Sequence, residues 1–298
     1  MQKNCLTVRC PLKLFDFGHN NLQLNLTDAK VISVVSGKGG VGKTVLAYNI
    51  AVDLSKNGYR VLLIDGDFFF GNLHILSNVY PKDGLDRFIS GEAVLDRSVT
   101  KINSNLDLLA SIGENLFDPN DIKNSQTIIK NIIRQCSRYD FVIVDHSSGV
   151  STFTEQFVTV SNINLLVLVP ELTSLSDGFG FVKYIYKKNR ESNCSFLINR
   201  CSSAEESDYI HKKFCALSES YLDVTPIYIG TISDSDNFRK SVSLQQSIHE
   251  IDRNSVVIQQ LRDVSSGLIK SHLKSNQNNS VITKMKINNN HIMADIKE

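Results

Sequence analysis

The sequence predicts an α/β fold: a mainly parallel sheet with helices on both faces, gathered into one large domain. Three observations carry this. Short apolar runs alternate with stretches of helical periodicity along most of the chain. A glycine-rich loop with the phosphate-binding spacing GxxxxGK[ST] joins the first apolar run to the first helical stretch. Aspartates close several of the runs, where open α/β sheets bind their ligands.

The first run, Val31-Ile32-Ser33-Val34-Val35, reads as a buried strand. Ser36-Gly37-Lys38-Gly39-Gly40-Val41-Gly42-Lys43-Thr44 follows it as the loop. Its glycines let backbone N–H groups curl around phosphate oxygens, and the next helix points its positive end at the same charge. Lys43 and Thr44 can serve the phosphates and a magnesium ion. Lys38 is an extra lysine that an ordinary phosphate loop does not require. Residues 45–54 carry apolar side chains at helical spacing, and Asn57-Gly58 stops them.

Residues 60–64 form the next predicted strand, ending in Asp65-Gly66-Asp67. Further strands are expected over 106–110, 141–144, 165–169, 195–198 and 225–229, with helices notably over 126–136 and 178–187. The first thirty or so residues read as an extension, and the Asn-rich stretch over 275–298 as a flexible tail. The domain between them spans 31–274.

Composition sets limits. The chain has 298 residues, 42% hydrophobic, enough to bury one large domain. A net charge of +1 gives no global pull toward nucleic acid. No apolar run is long enough to cross a bilayer and no signal-peptide core is evident, so the expectation is a soluble cytoplasmic chain. The six cysteines, Cys5 with Cys10 and Cys194 with Cys201 the nearest pairs, show no CxxC and read as free thiols.

Asp145 closes the run Phe141-Val142-Ile143-Val144, the pattern of a strand whose acid holds magnesium, usually through water. A helix cap is the plainer use of such an aspartate, but the phosphate loop favours the metal. Phe68-Phe69-Phe70, beside Asp67, either pack under the loop or form part of a nucleotide-dependent surface, and core packing is the preferred reading.

The stretch SGKGGVGKT resembles the deviant Walker A motif of the MinD/ParA ATPases. That resemblance implies a P-loop NTPase fold, ATP and Mg2+ as ligands, and an ATP-bound homodimer in which Lys38 reaches the partner's nucleotide. Asp65-Gly66-Asp67 with Gly71-Asn72-Leu73 is similar to the first switch of that family. The implied roles are magnesium support for Asp65, alongside Thr44 and Asp145, and orientation of the attacking water for Asp67. The catalytic set is then Lys38, Lys43 and Asp67. Gly149 of the second switch is implied to meet the γ-phosphate. The motif departs from the usual DTxAG: His146 and Ser148 replace threonine and alanine, which bears on hydrolysis rate more than on binding.

Pro170-Glu171-Leu172-Thr173-Ser174-Leu175-Ser176-Asp177 resembles a segment of the flagellar-number regulators, the FlhG (FleN, YlxH) branch. Leu197-Ile198-Asn199-Arg200 is similar to the strand end that reads adenine there, which implies nucleotide contacts for Asn199 and Arg200. Tyr228-Ile229-Gly230-Thr231-Ile232-Ser233-Asp234 is similar to a third segment, with Ser233 in place of a proline. The branch implies slow ATP hydrolysis, control of flagellar number or placement, the GTPase FlhF or basal-body proteins as partners, and peripheral attachment to the inner face of the membrane. No copy of the FlhF-stimulating DQAxxLR element stands before residue 31.

For attachment, Val257, Leu261, Val264, Leu268, Ile269 and Leu273 form an apolar stripe, with Arg262, Lys270 and Lys274 as cationic heads. Packing of 257–264 on the domain's own core is the preferred use; Ile282, Met285 and Ile287 are a thinner second candidate. Two alternatives stay open: a ParA-type DNA-partitioning ATPase or another MinD-like spatial regulator, and a carrier on the same fold. An iron–sulfur carrier would want a CxxC and a tyrosine-kinase relative a C-terminal tyrosine cluster, and the sequence holds neither.

Overall fold

The computed structural model describes residues 29–112, 129, 132, 135–188 and 192–270. Residues through Ser265 form one compact unit, while 266–270 fall in a second. The N-terminal extension before residue 29, the tail, Cys5, Cys10 and most of the helix expected over 126–136 lie outside the described residues.

Eight strands form one sheet: β1 (Lys30–Val35), β2 (Val61–Gly66), β3 (Val99–Asn103), β4 (Leu106–Leu109), β5 (Phe141–His146), β6 (Ile163–Leu168), β7 (Cys194–Cys201) and β8 (Ile227–Ser233), in the order β3-β4-β2-β5-β1-β6-β7-β8. Every pairing is parallel except β3 with β4. β1, β2, β5 and β6 are buried along their whole length, as strands covered on both faces must be. β3 was not expected. It is half polar and breaks register between Lys101 and Asn103, so it lacks the apolar run that marks the others. β8 starts later than expected because Pro226 cannot donate to a ladder.

The helices are α1 (Lys43–Lys56), α2 (Leu73–Leu76), α3 (Leu85–Ile89), α4 (Leu95–Ser98), α5 (Thr152–Val160), α6 (Leu172–Lys188), α7 (Ala204–Leu222), α8 (Asp236–Leu244), α9 (Ile248–Ile251) and α10 over 256–270. α1 packs against β1, β2 and β5. On the opposite face Leu62, Ile64, Val142 and Val144 pack with Phe153 and Phe157 of α5, and Leu166, Leu168, Phe196 and Ile198 pack with α6 and α7. α6 begins well before its expected start at Gly178. Two glycines lower intrinsic helicity, but a Cβ on Gly178 would stand 2.4 Å from Leu168 Cδ2, so the small residue is what lets the helix approach β6.

In α10, Val257, Leu261 and Val264 are buried, the use preferred for them from the sequence, while Arg262 is exposed. The phenylalanine run divides. Phe68 is buried, its ring 4.5 Å from that of Phe153, whereas Phe69 and Phe70 are 63% and 77% exposed, contrary to the core packing expected for all three. No helix among the described residues is long and apolar enough to cross a membrane.

Candidate functional site

The phosphate loop leaves the carboxyl end of β1, the strand at which neighbours diverge toward β5 on one side and β6 on the other. Gly40 and Gly42 hold φ of 77° and 88°, a backbone that L side chains rarely adopt, and Gly42 is the residue before α1. A Cβ on Gly42 would lie 2.5 Å from Asn199 Nδ2, so the loop is also closed sterically. Gly37 is held as tightly, with its Cβ position 2.5 Å from the Asp177 backbone carbon. Gly39 and Gly40 are exposed at the loop's crest.

Register sets the acids side by side. Asp65 at the end of β2 is the direct neighbour of Asp145 on β5, and Val34 of β1 is the neighbour of Asp145 on its other side. Lys43 Nζ donates to Asp145 Oδ1 at 2.9 Å, with both side chains nearly out of solvent. Thr44, the next residue of α1, lies near enough to Asp145 to favour its charged form. Burial pushes the Asp145 carboxyl up, and Lys43 and Thr44 pull against it. Burial and then the charge of Asp145 push Asp65 up to about 7, although it accepts backbone N–H bonds from Leu73 at 3.0 Å and Asp67 at 3.2 Å. Asp67 is half-buried, and its Oδ1 accepts from Phe70 N at 3.1 Å, which closes the turn after β2.

Lys38 has a different partner from Lys43. It pairs with Glu171, the residue before α6, and donates to Thr173 Oγ1 in the first turn of α6 at 3.1 Å. Gly149, with φ of 82°, donates its N–H to Ser36 O at 3.1 Å, joining the second switch to the start of the phosphate loop. Thus Lys43, Thr44, Asp65 and Asp145 converge, Asp67 and Gly149 stand at the edge, and Lys38 is held in a separate ion pair.

The alternation of β5 separates His146 from this group. Asp145 faces α1, whereas His146 faces α5, beside Phe157 at 5.6 Å between rings, with Nε2 2.9 Å from Ser33 Oγ. Burial, then Lys43, lowers His146 from 6.5 to about 3. The neutral ring is therefore the folded form, and its contribution to stability is complete above pH 6.5 and lost as pH falls toward 3. Between pH 7 and pH 5 this side chain alone is expected to remove about 2 kcal/mol. Urea titrations of wild type and His146→Thr at the two pH values check it: the variant should lack that loss.

Asn199 and Arg200 lie beyond the loop. Asn199 Nδ2 donates to Val41 O at 2.8 Å, while its Oδ1 is buried with no hydrogen-bond partner. Both residues line a cavity of about 330 Å³ together with Gly42, Val45, Leu46, and Asp234, Ser235, Phe238, Arg239 and Val242 from the start and body of α8. Of this wall, Asp234 belongs to the third segment matched in the sequence, and Ser233 before it stands where relatives carry the proline of the adenine pocket; Ser235, Phe238 and Val242 were not singled out as site residues. The one local sign of α8 is Ser235, whose Oγ accepts from Asn237 N and starts the helix.

These features fit a magnesium nucleotide. Gly42 leaves no room for a Cβ beside Asn199, and Asn199, whose Oδ1 is a buried acceptor with no hydrogen-bond partner, is one of the residues that line the adjoining cavity. Three carboxylates against one buried ammonium favour a divalent cation. The described residues contain no group of three or more His, Cys, Asp or Glu side chains that could hold a metal ion by themselves.

Residues 29–198 match the family described as an AAA domain. The antiactivator FleN of Pseudomonas aeruginosa is 28% identical over 224 residues, 74% of this chain and 79% of FleN. The flagellum site-determining protein YlxH of Helicobacter pylori is 25% identical over 277 residues, 91% of this chain and 90% of YlxH. The cell-division ATPase MinD of Pyrococcus furiosus superposes with a TM-score of 0.68 at 23% identity, over 81% of this chain and 99% of MinD, and so shares the fold. With a glycine-rich loop after β1, a lysine and aspartate pair behind it, and relatives that span most of its length, the chain belongs to the AAA-domain family and has the P-loop fold of MinD.

Proposed function

We propose that this chain is an ATP-driven dimerising switch that regulates the number or placement of flagella and associates reversibly with the inner face of the cell membrane. The observation that carries the reading is the separation of the two loop lysines. Lys43 is committed to Asp145 inside the chain, whereas Lys38 sits on the surface in an ion pair that a second copy can replace. Flagellar control rests on the names of FleN and YlxH, which align over most of the chain.

In this mechanism Lys43 and the loop amides hold the phosphates of ATP, and Asn199 and the α8 wall take the base. Asp65, Thr44 and Asp145 hold magnesium, which neutralises phosphate charge when bound. Asp67 leaves Phe70 N and orients the attacking water. Lys38 leaves Glu171 and Thr173 and reaches the partner's phosphates, adding positive charge where the γ-phosphoryl group departs. Hydrolysis removes that bond across the dimer and resets the switch. Slow turnover suits such a device, whose output is the lifetime of the ATP state.

Two copies of a weak C-terminal amphipathic segment give a dimer firmer membrane binding than one. Co-sedimentation with anionic lipid vesicles tests the reading: pelleting is expected with ATP and magnesium and lost with ADP. Vesicle binding indifferent to nucleotide would remove the switch. Salt-sensitive binding to duplex DNA under the same conditions would favour a DNA-partitioning role instead.

A further inference from the structure

The turn that carries β8 into the cavity wall is held from two sides. On one side Asp234 donates its N–H to Cys201 O of β7 at 2.9 Å. On the other, the side-chain amide of Gln260 on α10 grips Ser233 at both ends: Ser233 N donates to Gln260 Oε1 at 2.9 Å, and Gln260 Nε2 donates to Ser233 Oγ at 2.8 Å. α10 lies antiparallel to β8 here. Four residues after Gln260, Val264 Cγ2 lies 3.3 Å from where a Cβ on Gly230 would stand, three residues before Ser233. The glycine thus lets the helix settle at the height that puts Gln260 opposite Ser233.

Ser233 is followed directly by Asp234 and Ser235, which line the cavity, and then by Phe238, Arg239 and Val242. The far wall of the cavity therefore hangs from a turn whose position α10 helps to set. Asn199 and Gly42, the opposite wall, are fixed independently by the phosphate loop.

We propose that Gln260 is a positioning residue for the nucleobase: by clamping Ser233 it sets the distance between the α8 wall and Asn199, and so links α10 to the base end of the bound nucleotide. This rests on the proposal that the cavity takes the base. Losing both hydrogen bonds of the clamp, an effect relayed only in part to the wall, should weaken base-dependent binding about five- to tenfold.

The experiment is calorimetric titration, with magnesium present, of wild type, Gln260→Ala and Gln260→Glu with ATP and separately with inorganic triphosphate, which lacks base and ribose. Glutamate can accept from both Ser233 N and the Ser233 hydroxyl, so it preserves the clamp. The expected result is weaker ATP binding in Gln260→Ala, unchanged triphosphate binding, and ATP affinity within about twofold of wild type in Gln260→Glu. Equal loss for both ligands in Gln260→Ala would mark a general structural effect and overturn the inference. So would ATP binding in Gln260→Ala equal to wild type. If wild type itself binds ATP no better than triphosphate, the base reading of the cavity falls, and the inference with it.

Discussion

Lys43→Ala is expected to weaken ATP binding about a hundredfold and to cost the folded protein about 3 kcal/mol. Both effects have one source. Lys43 Nζ is the nearest cation to Asp145 and lies at the first turn of α1, where phosphate oxygens meet the helix N-terminus. Without it, Asp145 is a buried carboxylate that has lost its ion-pair partner, and burial already pushes its carboxyl up. Part of the folding cost is recovered when that carboxyl takes a proton. The checks are calorimetric titration with ATP and denaturant unfolding at neutral pH. Affinity within a few-fold of wild type would mean that the loop amides alone hold the phosphates.

Asp67→Ala should leave ATP binding within a few-fold of wild type and slow hydrolysis by about 10²- to 10⁴-fold. Asp67 touches neither Lys43 nor Asp145 directly. Its Oδ1 accepts from Phe70 N at 3.1 Å, so the carboxylate closes a turn. Asp67→Asn separates the two uses. Asparagine can still accept from Phe70 N but cannot take a proton from water, so its phosphate-release rate should fall nearly as far as that of the alanine variant. Near-normal turnover in Asp67→Asn would make the residue a turn former and leave the water to another group.

How much of this the sequence disclosed depended on how local each feature is. The phosphate loop and the acids Asp65 and Asp145 are legible because loop spacing and a strand end are properties of a few consecutive residues. The edge strand β3 was not legible, since Lys101 and Asn103 interrupt any apolar run and its pairing with β4 breaks register between them. Phe69 and Phe70 look like core in composition. The turn closed by Asp67 sends them outward, while Phe68 alone reaches Phe153. His146 reads as part of a switch in sequence, but strand alternation turns it toward Phe157 and Ser33. The α8 wall of the cavity and the pairing of Lys38 with Glu171 join segments distant in sequence, and no residue spacing announces either.

The central claim is that Lys38 exchanges its partner inside the chain for the nucleotide of a second copy. Light scattering coupled to gel filtration on wild type and Lys38→Ala, each without nucleotide, with ADP, and with ATP plus magnesium, tests it most directly. Wild type is expected to become a dimer only with ATP and magnesium, and Lys38→Ala to stay monomeric while still binding ATP. Wild type that remains a monomer under every condition, or a Lys38→Ala variant that dimerises as wild type does, would contradict the account.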